Sequence, residues 1–334
     1  MIILCFVRRI SEFCTMKVSI LVPIYNVENY IGKCAESLFS QTYSDLEYVF
    51  VNDCTPDGSI RVLEEVLDKY PNRRSQVKIV SHEKNLGLAA ARNTGLSNAT
   101  GDYVFHVDSD DYIRENAIEK LVIEAKKSLC DIVDGAFESV DSNGVTIHKY
   151  QVFTGSQVNY VKLLISKLVS PAPNIFARLI RRSLYIENDI SNIPGLNYAE
   201  DLMVTPKLLV VGSRSYIKDS IYFYRVDNSN SYTQEFSHSN IVSWILVTKD
   251  LYNFFTSPRY KEIYGFYAEV GVANLLRVNH YLSFSDEEKA LIPDIHTKSI
   301  FLKCYLFGLK YKIAYPISAL IFRILTKKIR KLYK

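Results

Sequence analysis

Between residues 17 and 125 short apolar runs alternate with stretches of helical period, and this alternation restricts the chain to few architectures. Residues 17–23 (KVSILVP) read as a buried strand. Residues 30–39 set Tyr30, Ile31, Cys34, Ala35, Leu38 and Phe39 at helical spacing, and residues 46–51 are strand-like again. A second helix runs from Ser59 through Leu63, Val66 and Leu67 to Tyr70 and stops at Pro71, which cannot continue it. Residues 77–80 supply another strand, residues 88–97 a helix of small side chains, and residues 103–107 a further strand. A helix built on Ile113, Ala117, Ile118, Leu121, Val122 and Ala125 follows. Such a pattern predicts an α/β sandwich with a largely parallel sheet between helices. A chain of 334 residues with 48% hydrophobic content has enough apolar surface to fill that core. From Pro171 the pattern is less regular, and from Ile241 onward it reads as mainly helical and rich in aromatic residues.

Open sheets of this kind bind ligands beyond the carboxyl ends of their strands. Three strands here end in polar groups: Pro23-Ile24-Tyr25-Asn26, Asn52-Asp53 and Asp108-Ser109-Asp110. In Phe105-His106-Val107-Asp108-Ser109-Asp110-Asp111 a strand-like run meets three carboxylates within four positions. Strand alternation would turn Asp108 and Asp110 to one face and Asp111 away from it. Carboxylate oxygens suit Mg²⁺ or Mn²⁺, usually completed by substrate phosphates, so a phosphate-bearing substrate is one reading. A polar turn bonding its own backbone is the other. Asp57 and Gly58 read as turn residues and Ser59 as a helix N-cap, which leaves Asp53 unexplained. Taken alone, Arg92 reads as a helix-surface arginine. Glu200-Asp201 opens an apolar helical stretch, where acids are favoured at an N-terminus. Pro206 should kink that helix or delay its start.

The six cysteines form no Cys-x-x-Cys pair, which points to reduced thiols and against structural disulfides. The six histidines are scattered and none is assigned a role. The net charge of +4 conceals an asymmetry: residues 296–334 hold ten Lys or Arg and no Asp or Glu, leaving −6 for residues 1–295. The apolar stretch 313–322 is far shorter than the ~20 residues of a spanning helix. The basic, aromatic tail suits an anionic membrane surface, with a solvated basic helix as the alternative. No nucleic-acid motif accompanies it, and nucleic acid is not an expected partner. Residues 1–15 run from apolar to basic, the reverse of a signal peptide, so no export signal is read.

Four fragments, VSILVPIYNVENYI, VNDCTPDGSI, NLGLAAARNTGL and FHVDSDD, in this order and at these intervals, resemble the family 2 glycosyltransferases. The resemblance covers residues 16–120 closely. It weakens from Pro173 through Ala199-Glu200-Asp201-Leu202 to Tyr224-Arg225-Val226-Asp227-Asn228-Ser229-Asn230-Ser231, where it is similar to bacterial capsule, exopolysaccharide and O-antigen members. It implies the GT-A fold, a mostly parallel, Rossmann-like sheet sandwiched by helices, with a mainly helical C-terminal extension. The implied organisation is an N-terminal extension (1–15), a GT-A domain (16–235) with a nucleotide-sugar half (16–112) and an acceptor half (113–235), and a helical region with a basic tail (236–334).

Carried over by position, the resemblance makes Tyr25 the aromatic against the nucleotide base and Asp53 the carboxylate on its uracil edge, with Pro23 and Asn26 shaping the rim. Arg92 would approach the diphosphate. Asp110 would be the metal ligand for Mn²⁺ or Mg²⁺, with Asp108 as a second ligand or a ribose contact, while Asp111 would begin the following helix. Glu200-Asp201 matches the acceptor-site element, with Asp201 as general base. Cys54 stands where the family more often has Gly, so the loop after Asp53 is expected to differ locally. The implied activity is an inverting, metal-dependent transfer from a nucleotide-sugar, a UDP-sugar above others, to a hydroxyl of a saccharide or lipid-linked saccharide in cell-surface polysaccharide synthesis. The implied location is cytoplasmic, at most peripheral on the inner face of the cell membrane, and no oligomeric state is assigned. A non-catalytic nucleotide-sugar-binding scaffold and a nucleotidyltransferase are the rival readings. The second would want a Gly/Lys-rich phosphate loop that VPIYNVENY lacks.

Overall fold

The computed structural model describes residues 16–166, 174–196, 198–227 and 238–311, together with Leu320, Ile324 and Lys327. Expectations for residues 1–15, for Pro173, for Asn228-Ser229-Asn230-Ser231 and for nearly all of the tail beyond residue 311 fall outside these. The chain divides into two compact units, the first holding residues 1–154, 174–197 and 207–234 and the second residues 155–173, 198–206 and 235–334. The division is discontinuous. Segments 155–173 and 198–206, counted by sequence with the acceptor half, cluster with the C-terminal helices.

The first unit is built on one sheet. Strands β1 (Val18–Ile24), β2 (Leu46–Asn52), β3 (Val77–Ser81) and β4 (Tyr103–His106) are followed by β5 (Tyr112–Ile113), β6 (Ile132–Val140), β7 (Thr146–Tyr150), β8 (Arg178–Arg181) and β9 (Arg214–Arg225). Their order is β3-β2-β1-β4-β8-β6-β9-β5, with β7 beside β6. The expected parallel arrangement runs through β3, β2, β1 and β4. Beyond them β8 is antiparallel to both β4 and β6, β6 and β9 are parallel, and β5 and β7 are antiparallel additions.

Helices α1 (Ile31–Phe39), α2 (Ser59–Leu67), α3 (Leu88–Asn98) and α4 (Ala117–Ser128) lie where the periodicity places them. Ile31, Cys34, Ala35, Leu38 and Phe39 of α1 are buried as expected and join the β1 and β2 side chains in one apolar core. Ile113 departs from expectation. It pairs with β9 in β5, and α4 begins only at Ala117. The cause is long-range: Tyr112 stacks on Phe223 at 4.7 Å and the Arg114 amide donates to the Ile221 carbonyl, partners more than a hundred positions away that no local period reveals.

Glu47 ties β1 to the turn into β4, accepting bonds from the Ser19 hydroxyl and from the backbone and hydroxyl of Thr100, with Lys17 2.9 Å away. Burial alone would raise its carboxyl, but the Ser19 and Thr100 bonds outweigh it and hold the group at about 2.

Short helix α5 (Gln157–Ser166) belongs to the second unit, and α6 (Arg182–Glu187) to the first. Helix α7 (Glu200–Val211) is followed by α8 (His238–Thr256), α9 (Lys261–Leu282), α10 (Asp286–Leu291) and α11 (Ile300–Tyr311), the mainly helical extension the sequence announces. Helices α5 and α9 meet closely at Gly271, where a Cβ would stand 2.6 Å from the Ile165 carbonyl oxygen, and Asn274 donates to the Ser166 carbonyl at 2.7 Å. Ser285 and Glu288 form a reciprocal capping box that starts α10. Leu302 and Tyr305 of α11 pack on Val270 and Ala273 of α9. No helix among the described residues is long and apolar enough to cross a membrane.

Candidate active site

Parallel register sets the rim. Ile24 pairs with Asn52 and Leu21 with His106, so Tyr25, Asn26, Asp53 and Asp108 all emerge beyond the carboxyl ends of adjacent strands. The Val107 amide donates to the Leu21 carbonyl toward β4, and the Asp53 amide to the Ile24 carbonyl toward β2. Successive residues alternate sides, so the Pro23 nitrogen faces the β4 side just where β4 has ended. Its missing N–H therefore breaks no ladder bond. Tyr25 is 39% exposed. Asn26 takes a left-handed backbone (φ 55°), which Asn tolerates, and its amide donates to Thr55 Oγ1 at 2.8 Å.

Asp53 is buried, and its carboxylate organises the next loop. Oδ1 accepts from the Leu86 amide and Oδ2 from the Gly87 amide, both at 2.8 Å. His82, at the end of β3, lies with Nδ1 2.7 Å from Asp53 Oδ1 and Nε2 2.9 Å from Thr94 Oγ1. An ionised carboxylate only accepts, so Nδ1–H is the donor. Gly87, with φ 88°, is the residue before α3, so Asp53 fixes the start of the helix that carries Arg92. Cys54 has φ 56°, the left-handed region that Gly would adopt freely. The loop thus keeps the conformation that Gly favours, with Cys bearing the strain. The turn reading of Asp57 holds with one change. Gly58 occupies the N-cap, and Asp57 accepts from the Ser59 amide at 3.2 Å, while the Ser59 hydroxyl accepts from the Val27 amide.

Arg92 is not a surface residue. It is 4% exposed, and its Nη2 donates to Asp108 Oδ1 at 3.0 Å. Its neighbour Asn93 exchanges two bonds with the backbone of Asn192, pinning the middle of α3. Strand β4 stops at His106, so Asp108 to Asp111 form a turn, with the Asp111 amide donating to the Asp108 carbonyl at 3.0 Å. Strand alternation therefore does not govern the three carboxylates, although Asp111 does point away. The expectation that Asp111 begins a helix is corrected. Asp111 is buried, accepting from the Tyr222 hydroxyl at 2.7 Å and the Arg225 amide at 2.8 Å, and α4 starts six residues later. Tyr222 also accepts from the Asp108 amide at 3.1 Å, and Arg225 Nε donates to the Asp110 carbonyl at 3.2 Å. Two β9 side chains thus shape the turn. No local signal marks Tyr222 or Arg225, since a long strand does not show which of its residues meets a turn over a hundred positions earlier.

Two arginines and three carboxyl groups meet at this turn. Burial first, then the charges of Asp110 and Asp108, hold the Asp111 carboxyl well above its usual range. Burial and the same three carboxylates raise the Cys34 thiol, which lies 3.9 Å from the Asp108 carbonyl. His106, pushed down to about 3 by burial and by Arg92, stays neutral. Among the described residues no group of three or more His, Cys, Asp or Glu could cage a metal alone. Partly open Asp108 and Asp110 instead fit Mg²⁺ or Mn²⁺ completed by phosphate oxygens, the expected donor set.

Glu200 and Asp201 occupy the first turn of α7 in the second unit, after Ala199 in a left-handed conformation (φ 61°). Glu200 is buried and Asp201 is partly exposed. Pro206 lies inside the helix and does not delay its start.

Residues 19–187 match the model of a family described as glycosyl transferase family 2. The chain is 32% identical over 224 residues, 65% of its own length and 63% of the relative's, to an uncharacterized glycosyltransferase, EpsJ, of Bacillus subtilis. It is 30% identical over 212 residues to the poly(ribitol-phosphate) beta-N-acetylglucosaminyltransferase TarS of Staphylococcus aureus, spanning 63% of this chain and 35% of that one. The matched region is thus less than two thirds of either relative. A crystal structure of a TarS fragment in complex with UDP-GlcNAc superposes with a TM-score of 0.63 at 20% identity, covering 95% of this chain and 92% of that one. That likeness is one of fold.

Proposed function

The chain belongs to glycosyl transferase family 2, and from that premise we propose that it transfers a sugar from a UDP-sugar to a hydroxyl of a saccharide or lipid-linked saccharide, with inversion, in cell-surface polysaccharide synthesis. The observation that carries the reading is the pair of buried Arg92 with partly open Asp108, standing on the same strand-end rim as Asp53, Asp110 and the exposed ring of Tyr25. Relatives named as glucosyl- and N-acetylglucosaminyltransferases acting on poly(ribitol-phosphate) favour a UDP-hexose class of donor.

Tyr25 would lie against the base. Asp53 Oδ2 already accepts one bond from Gly87 and keeps a second acceptor position for the uracil imide N–H. Arg92 would share its guanidinium between Asp108 and the diphosphate, a task its five donors allow. Asp110, with Asp108, would hold Mn²⁺ or Mg²⁺, which supplies Lewis-acid neutralisation of the diphosphate. Asp201 takes the acceptor hydroxyl proton as that oxygen bonds to the anomeric carbon. The bond from that carbon to the phosphate oxygen breaks on the opposite face, and the nucleoside diphosphate leaves with the electron pair. Screening UDP-sugars with Mn²⁺ by release of UDP tests the reading. Release should occur with at least one sugar and fall to background in Asp110→Ala. No release from any donor, or undiminished release in the variant, would overturn it.

A further inference from the structure

Outside the donor rim, the outward face of α11 is the least expected surface among the described residues. At about 100° per residue, Leu302 and Tyr305 turn onto α9, while Lys303, Phe307, Ile300, Cys304 and Phe301 follow one another across the opposite side. Ile300 is 65% exposed, Phe301 51% and Phe307 56%. Single apolar residues scatter over any protein surface, but three large ones exposed on one face of a three-turn helix form an apolar patch.

Charge selects the partner. From residue 296 to the end the sequence carries ten Lys or Arg and no Asp or Glu, with Lys298 just before α11 and Lys303 on the rim of its exposed arc. A second copy of the chain meeting this face would bring the same cations against one another. A bilayer rich in anionic lipid offers what the face lacks, an apolar interior beneath a layer of phosphates. We propose that α11 lies in the plane of an anionic membrane surface. Ile300, Phe301 and Phe307 enter the boundary between headgroups and acyl chains, and Lys298 and Lys303 sit among the phosphates. At twelve residues the helix is too short to span, and its lysine-flanked apolar arc is the pattern of an interfacial helix. Exposed Leu320, Ile324 and Lys327 repeat the four- and three-residue spacing of one helical face further along. The proposal does not depend on which sugar, if any, the rim binds.

The test is co-sedimentation of the full chain with vesicles of phosphatidylcholine alone or mixed with phosphatidylglycerol, at low and high salt. The wild-type chain should bind the anionic vesicles about tenfold or more tightly than the neutral ones, less so at high salt. Ile300→Asn with Phe307→Asn should weaken binding about tenfold or more, and Phe301→Gln alone by a smaller factor, each with an unchanged melting curve. Lys298→Gln with Lys303→Gln should flatten the salt dependence. Absent binding, equal binding to both vesicles, or full binding by the apolar variants would overturn the proposal. So would light scattering that finds a wild-type dimer turned monomeric by Ile300→Asn with Phe307→Asn, which would assign the face to self-association.

Discussion

At the residue scale the rim rests on a few side chains that speak to the backbone more than to one another. Asp53 anchors the Leu86–Gly87 amides, and His82 braces it from Thr94. His82→Ala leaves Asp53 its two amides and removes the brace. Calorimetric UDP affinity is expected to fall several-fold, with the melting temperature lowered by no more than two lost hydrogen bonds of about 1 kcal/mol each imply. Unchanged affinity would make His82 a packing residue only. Cys54→Gly relieves a left-handed backbone that costs roughly 1–2 kcal/mol, against about 0.5–1 kcal/mol of added unfolded-state freedom. A small net stabilisation in urea titration is the expected outcome. Asp53, Arg92, Asp108 and Asp110 were legible because strand ends and motif spacing are local properties. His82 ends the strand next to Asp53's, a position the sequence gives openly, yet its meaning depends on Thr94 closing the bridge from α3. Asp111 was misread for the opposite reason: its partners, Tyr222 and Arg225, are remote.

Among elements, the strand and helix spans from β1 to β4 follow from period and Gly/Pro punctuation alone, since most of them bury an apolar face in one core. What failed, the two-residue β5, is held by β9 and has no period of its own. Two element contacts carry predictions. Gly271→Val puts a branched side chain where a Cβ already meets the Ile165 carbonyl at 2.6 Å, so α9 and α5 must part. About 1–3 kcal/mol of destabilisation is expected in thermal unfolding followed by circular dichroism. Glu47→Gln removes the carboxylate that joins β1 to the β4 turn. Because the folded group is depressed from 4.5 to about 2, its stabilisation is complete above about 4.5 and is lost as pH falls toward 2. The variant should therefore be less stable than wild type at pH 7, with the gap closing through that window. A constant gap from pH 7 to 2 would deny Glu47 this role.

For the whole molecule, Pro23, Tyr25, Asn26, Asp53, Arg92, Asp108 and Asp110, the residues proposed for the donor, belong to the first unit and Glu200-Asp201 to the second. Asp201→Asn should accordingly keep UDP binding while losing about 10²–10⁴-fold in transfer, as removal of a general base does. Loss of both together would place Asp201 in donor binding instead. The single boundary read near residue 235 does not anticipate a discontinuous division, because no local pattern sets segments 155–166 and 198–206 apart from their neighbours. Pro23 has one further consequence. A parallel sheet tends to zip up wherever two strands run side by side, yet past Leu21 the β1 backbone has no hydrogen to offer toward β4. The parting between these two central strands is thus written into the covalent chain, and a ligand arriving there meets a seam that the protein cannot close over itself.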